Sequence, residues 1–464
     1  MRRTTITFCA LAALAAAYVS QPVNTQTNRS ISAVLYEGAR LIVGDGTAPI
    51  LDSAFVVEDG TITRVGRKGD VGAPGGAARV DLAGKTVMPT LIDTHVHPGF
   101  QRGLTYTADN HTRVTIVDDL NRALYFGVAV VQSQGIEKGN VAHQVRADQE
   151  AGRLGGARLR VAGRGIGAPN AGPGNAAYAG IAYEVTTEDQ ARKAVQQLAA
   201  EKVNLIKLWV DDRNGRAPRL ASSLFKAIID EGHRHGLTVN AHVFYHADAS
   251  DLVNAGIDAL AHLVRDKEMD DALIASIVQR DVYVMPNLSP ERNTYAALPH
   301  WLQDGDPMMK LLQESTPPAV IARMKTSYEN RDSATLERTR TQYAILQRSL
   351  ARLAKANAKI ILGSDTGLED HLFGMAGQRE LESMVKAGMT PMQVIVAATS
   401  RAAEYLKLAK TGTIAAGKDA DFLVLDANPL EDITNTQRIA EVYIKGAAID
   451  RALLRSSLTA ALVN

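Results

Sequence analysis

Leu91-Ile92-Asp93-Thr94-His95-Val96-His97-Pro98 is an apolar run that turns polar at its carboxyl end. On a strand, residues two apart face the same side. His95 and His97 therefore point together, toward whatever lies at the end of that strand. Seven further runs have the same build: 128–132, 158–162, 203–209, 238–242, 259–262, 282–286 and 359–364, with 86–95 as the first of eight. Longer stretches separate most of them. Two of these, 190–202 and 222–235, repeat apolar residues at helical spacing and contain no proline. Strands alternating with helices predict an α/β fold with parallel strands. Eight such units predict a (β/α)8 TIM barrel rather than an open sheet. No glycine-rich phosphate loop follows the first strand, which argues against a dinucleotide-binding fold.

Both ends of the chain read differently. From 33 to 90, short runs such as Ala54-Phe55-Val56-Val57 alternate with turn signals such as Glu58-Asp59-Gly60. From 411 onward the pattern returns, with Asp421-Phe422-Leu423-Val424-Leu425-Asp426 as its clearest strand. Neither end has enough strands for a core of its own. The expectation is one small composite β-sandwich domain, 33–88 plus 411–464, beside a barrel at 89–410. Within the barrel, 287–358 is longer than one helix requires and carries five prolines (290, 299, 307, 317 and 318). It reads as an insertion, either a lid over the active face or an extra surface element.

The other strand ends add chemistry to the His-x-His pair. Lys207 interrupts the apolar run Leu205-Ile206-Lys207-Leu208-Trp209, and burying an ammonium without a partner is costly. His242, His262 and Asp365 close the fifth, sixth and eighth runs. Each alone has an ordinary explanation: a satisfied core histidine, or an aspartate capping a helix. Together they place six polar residues at the carboxyl ends of five strands, where TIM-barrel active sites form. Four histidines and a carboxylate suit zinc or a similar divalent ion.

Composition sets the outer limits. The chain has 464 residues, 46% hydrophobic and 22% charged, with a net charge of +1. That balance gives no support to nucleic-acid binding or electrostatic membrane docking. Arg2 and Arg3 precede an apolar stretch to about Val19, then a polar segment. This reads as a signal peptide, residues 1–20, with export to the periplasm or the medium. An uncleaved anchor is the alternative, but the stretch is short for a span. The single cysteine, Cys9, lies inside it, so a processed chain has no disulfide, thiol nucleophile or cysteine metal site.

Val87-Met88-Pro89-Thr90-Leu91-Ile92-Asp93-Thr94-His95-Val96-His97 resembles the opening strand of the amidohydrolase superfamily, specifically its imidazolonepropionase-like and Xaa-Pro (Xaa-Arg) dipeptidase-like branch. Thr90 stands where glycine is usual. Thr411-Gly412-Thr413-Ile414 through Gly417-Lys418-Asp419-Ala420-Asp421-Phe422 resembles the family's return into its β domain. The resemblance implies a binuclear centre of two divalent ions, with zinc expected. His95, His97 and Asp365 would hold the more buried ion, and His242 and His262 the second. Lys207 matches the position that is N6-carboxylated in binuclear members, where the carbamate bridges both ions. An unmodified lysine paired with a carboxylate is the alternative. The implied chemistry is hydrolysis: the ions acidify a water, and Asp365 takes its proton and passes it to the leaving group.

The expected substrate is a small molecule with an amide-like C–N bond, a dipeptide or N-acyl amino acid. The same centre would also serve a lactone, carbamate, aryl-urea or cyclic amide. A barrel that binds solute or metal without turnover is the non-enzymatic alternative, and it would have no use for Asp365 as a base. Just past the fifth strand, Tyr245 and His246 are in range to stabilise an oxyanion. In the Gly/Pro-rich stretch after the third strand, Arg164 and Asn170 could grip a substrate carboxylate; a loop shaped by its glycines is the plainer reading. His233 and His235 read as solvated. Spacing alone does not place His111, His143, His300 or His371. A homo-oligomer is compatible with all of this.

Overall fold

The computed structural model describes residues 33–137, 139–174, 176–290 and 300–460. The signal-peptide expectation lies outside them. Eight parallel strands carry the larger part of the fold: β1 (Leu91–Val96), β2 (Val128–Ser133), β3 (Arg158–Arg160), β4 (Leu205–Trp209), β5 (Thr238–His242), β6 (Ala259–Ala261), β7 (Tyr283–Met285) and β8 (Lys359–Ile360). β2 pairs with β1 and β3, and β4 through β8 pair in sequence. Asn204 N donates to Val161 O (2.7 Å) between β3 and β4. Thr94 N donates to Leu362 O (2.9 Å), and His97 N to Thr366 O (2.7 Å), beside β1 and β8. The architecture is TIM-barrel-like α/β.

Helices between the strands bury one face each. In Ser222–Arg234, Leu224, Phe225, Ile228, Ile229 and Gly232 recur at three- and four-residue spacing and are buried. Glu188–Ala200 starts on a reciprocal cap between Thr187 and Gln190. Among the described residues, no helix is long and apolar enough to cross a membrane.

The first predicted strand is in fact two. Thr86–Pro89 pairs antiparallel with Phe422–Leu425, while Leu91–Val96 joins the parallel strands. The chain changes sheets at Pro89-Thr90: proline has no N–H to continue a ladder, and Thr90 N turns to Asp421 O (3.2 Å). A five-stranded sheet thus combines Arg40–Leu41 and Thr86–Pro89 from one chain end with Phe422–Leu425, Ile439–Ile444 and Ala447–Ala448 from the other. A four-stranded sheet is built from Ala33–Glu37, Ser53–Glu58, Thr61–Arg67 and Ala78–Asp81. Tyr36, Phe55, Phe422 and Tyr443 join the two in one aromatic core, with Tyr36 stacked on Phe55 at 4.9 Å and Phe422 on Tyr443 at 4.4 Å.

Two features depart from the strand-only reading of the C-terminal end and bear on the insertion. Arg451–Ala460 is a helix, anchored by Arg451 Nη2 donating to Tyr125 O (3.1 Å) at the end of the helix Arg113–Tyr125. The insertion holds the helices Pro307–Ser315, Pro318–Glu329 and Ser333–Lys355. Its Arg323 reaches the loop after β8, with Nε donating to Asp370 Oδ2 (3.0 Å), and the loop after β1, with Nη1 donating to Leu104 O.

Candidate metal centre

β1 is buried along its whole length. Asp93 Oδ1 accepts from Ser364 N (3.0 Å) and His95 N (3.2 Å), and Ser364 Oγ donates to Asp93 Oδ2. Asp93 thereby fastens the end of β1 to the segment after β8, and burial pushes its carboxyl up to about 7. A side chain on Gly363 would place Cβ 3.0 Å from His95 Cβ and 3.1 Å from Met285 Cβ, so glycine permits the approach. Asp365 is held at φ +55° and His262 at φ +71°, in the left-handed region that is costly for such residues. His262 N donates to Met285 O (3.0 Å) and Asn287 Oδ1 (2.9 Å), which fixes that turn.

These turns gather the strand ends. Asp365 Oδ1 lies 2.9 Å from His97 Nε2 and 3.2 Å from His95 Nε2. The rings of His95 and His97 are 5.1 Å apart, those of His95 and His262 5.2 Å, and those of His242 and His262 4.5 Å. One potential ligand atom from each of His95, His262 and Asp365 falls within 4.8 Å of the others. Lys207 is 1% exposed and packed against Gly135, and among the described residues its Nζ has no hydrogen-bond partner. His97 Nδ1 and His262 Nδ1 are likewise buried without one.

Burial dominates the electrostatics. It lowers the Lys207 amine to about 7. Burial first, and then the Lys207 cation, hold His95 and His242 well below the usual imidazole range; burial and then His242 do the same for His262. Neutral imidazoles are the form that binds metal. The buried, unpartnered nitrogens and the convergent carboxylate fit a divalent-cation centre.

A family model described as Amidohydrolase family matches residues 86–449. The chain belongs to the amidohydrolase family. The family generally uses divalent metal centres. A Bifidobacterium longum structure assigned as a prolidase is 25% identical, with a TM-score of 0.72 over 93% of this chain and 99% of that one. A Xaa-Pro dipeptidase with bound methionine is 21% identical, with a TM-score of 0.71 over 90% and 99%. Among curated sequences, an enamidase of Eubacterium barkeri is 35% identical over 97 residues, 21% of this chain and 23% of that protein. The aligned segment spans at most 30% of the curated relatives it matches.

The mouth of this amidohydrolase holds a cavity of about 350 Å³, lined by His95, His97, Lys207, His242, His262 and Asp365. Of the expected substrate contacts, Asn170 lies on its wall. Arg164 does not. Its Nε donates to Ile181 O (2.5 Å), its Nη2 to Ala182 O (3.1 Å), and it stacks on Tyr183 at 3.9 Å, so it tethers the loop. Tyr245 and His246 are also corrected. Tyr245 donates its hydroxyl to Asp212 (2.8 Å) beneath Arg219, and His246 Nε2 lies 3.3 Å from Asp270; neither lines the cavity. The fifth strand's successor turns into the helix His246–Asn254 at that point, which carries both side chains away.

Sequence reasoning missed Tyr178, Asp211, Arg213, Arg216 and Arg265 in the lining of the same cavity. Arg213-Asn214-Gly215-Arg216, four residues past β4, was the available signal. His371 is buried with Nε2 3.0 Å from Ser364 O, behind the site. His233 pairs with Asp258 (2.9 Å) and His300 with Glu382 (2.9 Å), both outside the cavity lining.

Proposed function

We propose that this chain is an exported metal-dependent hydrolase of a dipeptide or N-acyl amino acid, working on two zinc ions. His95, His97 and Asp365 would hold the inner ion and His242 and His262 the outer. Lys207, N6-carboxylated, would bridge them. The observation that carries this reading is the buried Lys207 Nζ without a hydrogen-bond partner, beside His95, His262 and Asp365 with ligand atoms inside 4.8 Å. An amine lowered to about 7 is uncharged often enough at neutral pH to add to carbon dioxide; the N–C bond forms as one N–H proton is released, and the resulting carbamate replaces an unpaired amine with two oxygen ligands.

When bound, such ions acidify water and polarise a carbonyl. The protein supplies the rest. Asp365, held by its strained backbone against His95 and His97, takes the water's proton and returns it to the departing nitrogen. Neutral histidines leave their nitrogens available as ligands. The cavity walls orient the substrate and exclude bulk water. In the wider arrangement, the eight parallel strands close as a (β/α)8 barrel at 89–410, the two chain ends form the β-sandwich, and the protein acts in the periplasm or the medium on a small molecule.

The test is turnover by the zinc-loaded protein on dipeptides and N-acyl amino acids against lactones, carbamates and aryl-ureas. Cleavage of the first group at rates above the second supports the reading. Cleavage confined to the second group moves the substrate class, and inactivity with two ions bound favours a binding barrel.

A further inference from the structure

Tyr245 and His246, the expected oxyanion donors, do not line the cavity. Tyr178 carries the one hydroxyl among the described residues that do. It ends the single-turn helix Ala176–Tyr178 in the loop after β3 and is 3% exposed. Phe100 meets its ring edge-on at 4.7 Å, Ile181 and Ala182 belong to the same apolar cluster, and the His97 ring lies 6.1 Å away. A side chain on Gly367 would place Cβ 1.9 Å from His97 O, so glycine lets the loop that carries Asp365 run against His97. The Tyr178 hydroxyl lies 3.5 Å from Gly367 O in that loop, and the charge of Asp365 reaches it. Tyr106, in the hairpin after β1, pairs its hydroxyl with that of Tyr178. A phenol has one proton to give, holds it at neutral pH, and can accept another group's hydrogen bond at the same time. At 3.5 Å the Gly367 carbonyl is beyond the usual O–H···O range and holds the Tyr178 proton loosely. With Tyr106 donating, Tyr178 keeps that proton for a ligand. Its ring is packed in place before a substrate arrives, the condition under which a hydrogen bond to developing charge is worth most.

We infer that Tyr178 is a catalytic residue that donates a hydrogen bond to the substrate oxygen on which negative charge develops, with Tyr106 as the residue that positions it. The inference rests on the proposed hydrolase reading. As a water-derived hydroxide adds to the carbonyl carbon, the C=O π pair moves onto oxygen. Tyr178 donates to that oxygen and keeps its proton. The pair returns as the C–N bond breaks, and the departing nitrogen takes its proton from Asp365.

The experiment compares the zinc-loaded wild type with Tyr178→Phe, which keeps the ring and removes the hydroxyl, and with Tyr106→Phe. Turnover of N-acetyl amino acids and dipeptides is measured beside zinc content, urea unfolding and calorimetric binding of an amino-acid phosphonamidate, whose tetrahedral anionic phosphorus group mimics the adduct. Tyr178→Phe should lower kcat about a hundredfold to a thousandfold with KM changed by less than about threefold, and should weaken phosphonamidate binding by a similar factor to kcat, with zinc content and unfolding retained. Tyr106→Phe leaves the donor but not its alignment, and should cost about tenfold in kcat. An active wild type with kcat unchanged in Tyr178→Phe, or with the loss confined to KM, overturns the inference and leaves the hydrolase reading standing. An inactive wild type fails that reading, and phosphonamidate binding then decides Tyr178: equal binding by the wild type and Tyr178→Phe overturns its role as donor, and tighter binding by the wild type supports it. Loss of zinc or of the unfolding transition in Tyr178→Phe makes the hydroxyl structural and overturns the inference as well.

Discussion

Lys207 and Asn240 are register partners on adjacent strands, β4 and β5, and both are fully buried. Their surroundings are opposite. Asn240 Nδ2 donates to Gln134 Oε1 (3.3 Å), Gln134 Nε2 donates onward to Thr94 O (2.8 Å), and Tyr405 donates its hydroxyl to Asn240 Oδ1. Among the described residues, Lys207 Nζ has no such partner. A polar group kept for architecture is paired within the protein, because leaving it unpaired costs about 1–3 kcal/mol. An amine left unpaired among the described residues, beside histidines with unpartnered nitrogens, is what the proposed metal site would use.

That contrast predicts different responses to mutation. The largest effect is on activity. Asp365→Asn should lower kcat by about a hundredfold to ten-thousandfold. His242→Ala should lose zinc and turnover together while circular dichroism and the unfolding transition persist. Unchanged kinetics in either variant would remove the strand ends from the chemistry. Asn240→Ala should act on the fold instead. It strands Gln134 and Tyr405 and should cost about 1–3 kcal/mol in urea unfolding, with zinc content retained.

Lys207→Met should invert this. In the metal-free protein it removes a buried, unpartnered amine and should raise stability by about 1 kcal/mol, while abolishing binding of the second ion. Destabilisation of the metal-free form would mean that Lys207 is paired after all. The same amine also gives stability a slope with pH. The folded chain holds the Lys207 amine at about 7 against an ordinary 10.5. Between those values the unfolded chain binds a proton that the folded chain does not. Metal-free stability should therefore rise with pH through that window and fall toward neutrality. Lys207→Met should flatten the rise.

The sequence made this cluster legible through position: polar residues that close or interrupt apolar runs. His95, His97, Lys207, His242, His262 and Asp365, singled out that way, all line the cavity. What lay between the strands was less legible. Tyr245 and His246 sit three and four residues past His242, within range by count, yet the chain enters a helix at His246 and turns both away. Arg164 looked available because a glycine-rich loop gives no periodicity to say which way a side chain leaves. Its partners, Ile181 and Ala182, are 17 and 18 residues further on. The division of 86–95 into two strands escaped notice because both halves are apolar. The pairing of Thr86–Pro89 with Phe422–Leu425, and of Leu91–Val96 with Val128–Ser133, separates them.

The central claim is that Lys207 is an incomplete ligand. The most direct test is zinc stoichiometry after reloading the metal-free protein in bicarbonate, read with the mass of the intact chain under gentle conditions. The account predicts two zinc ions per chain and the added mass of one carboxylate, both absent in Lys207→Met, which should keep at most one ion. Two ions bound with Lys207 unmodified, or a Lys207→Met variant that still binds two, would contradict it.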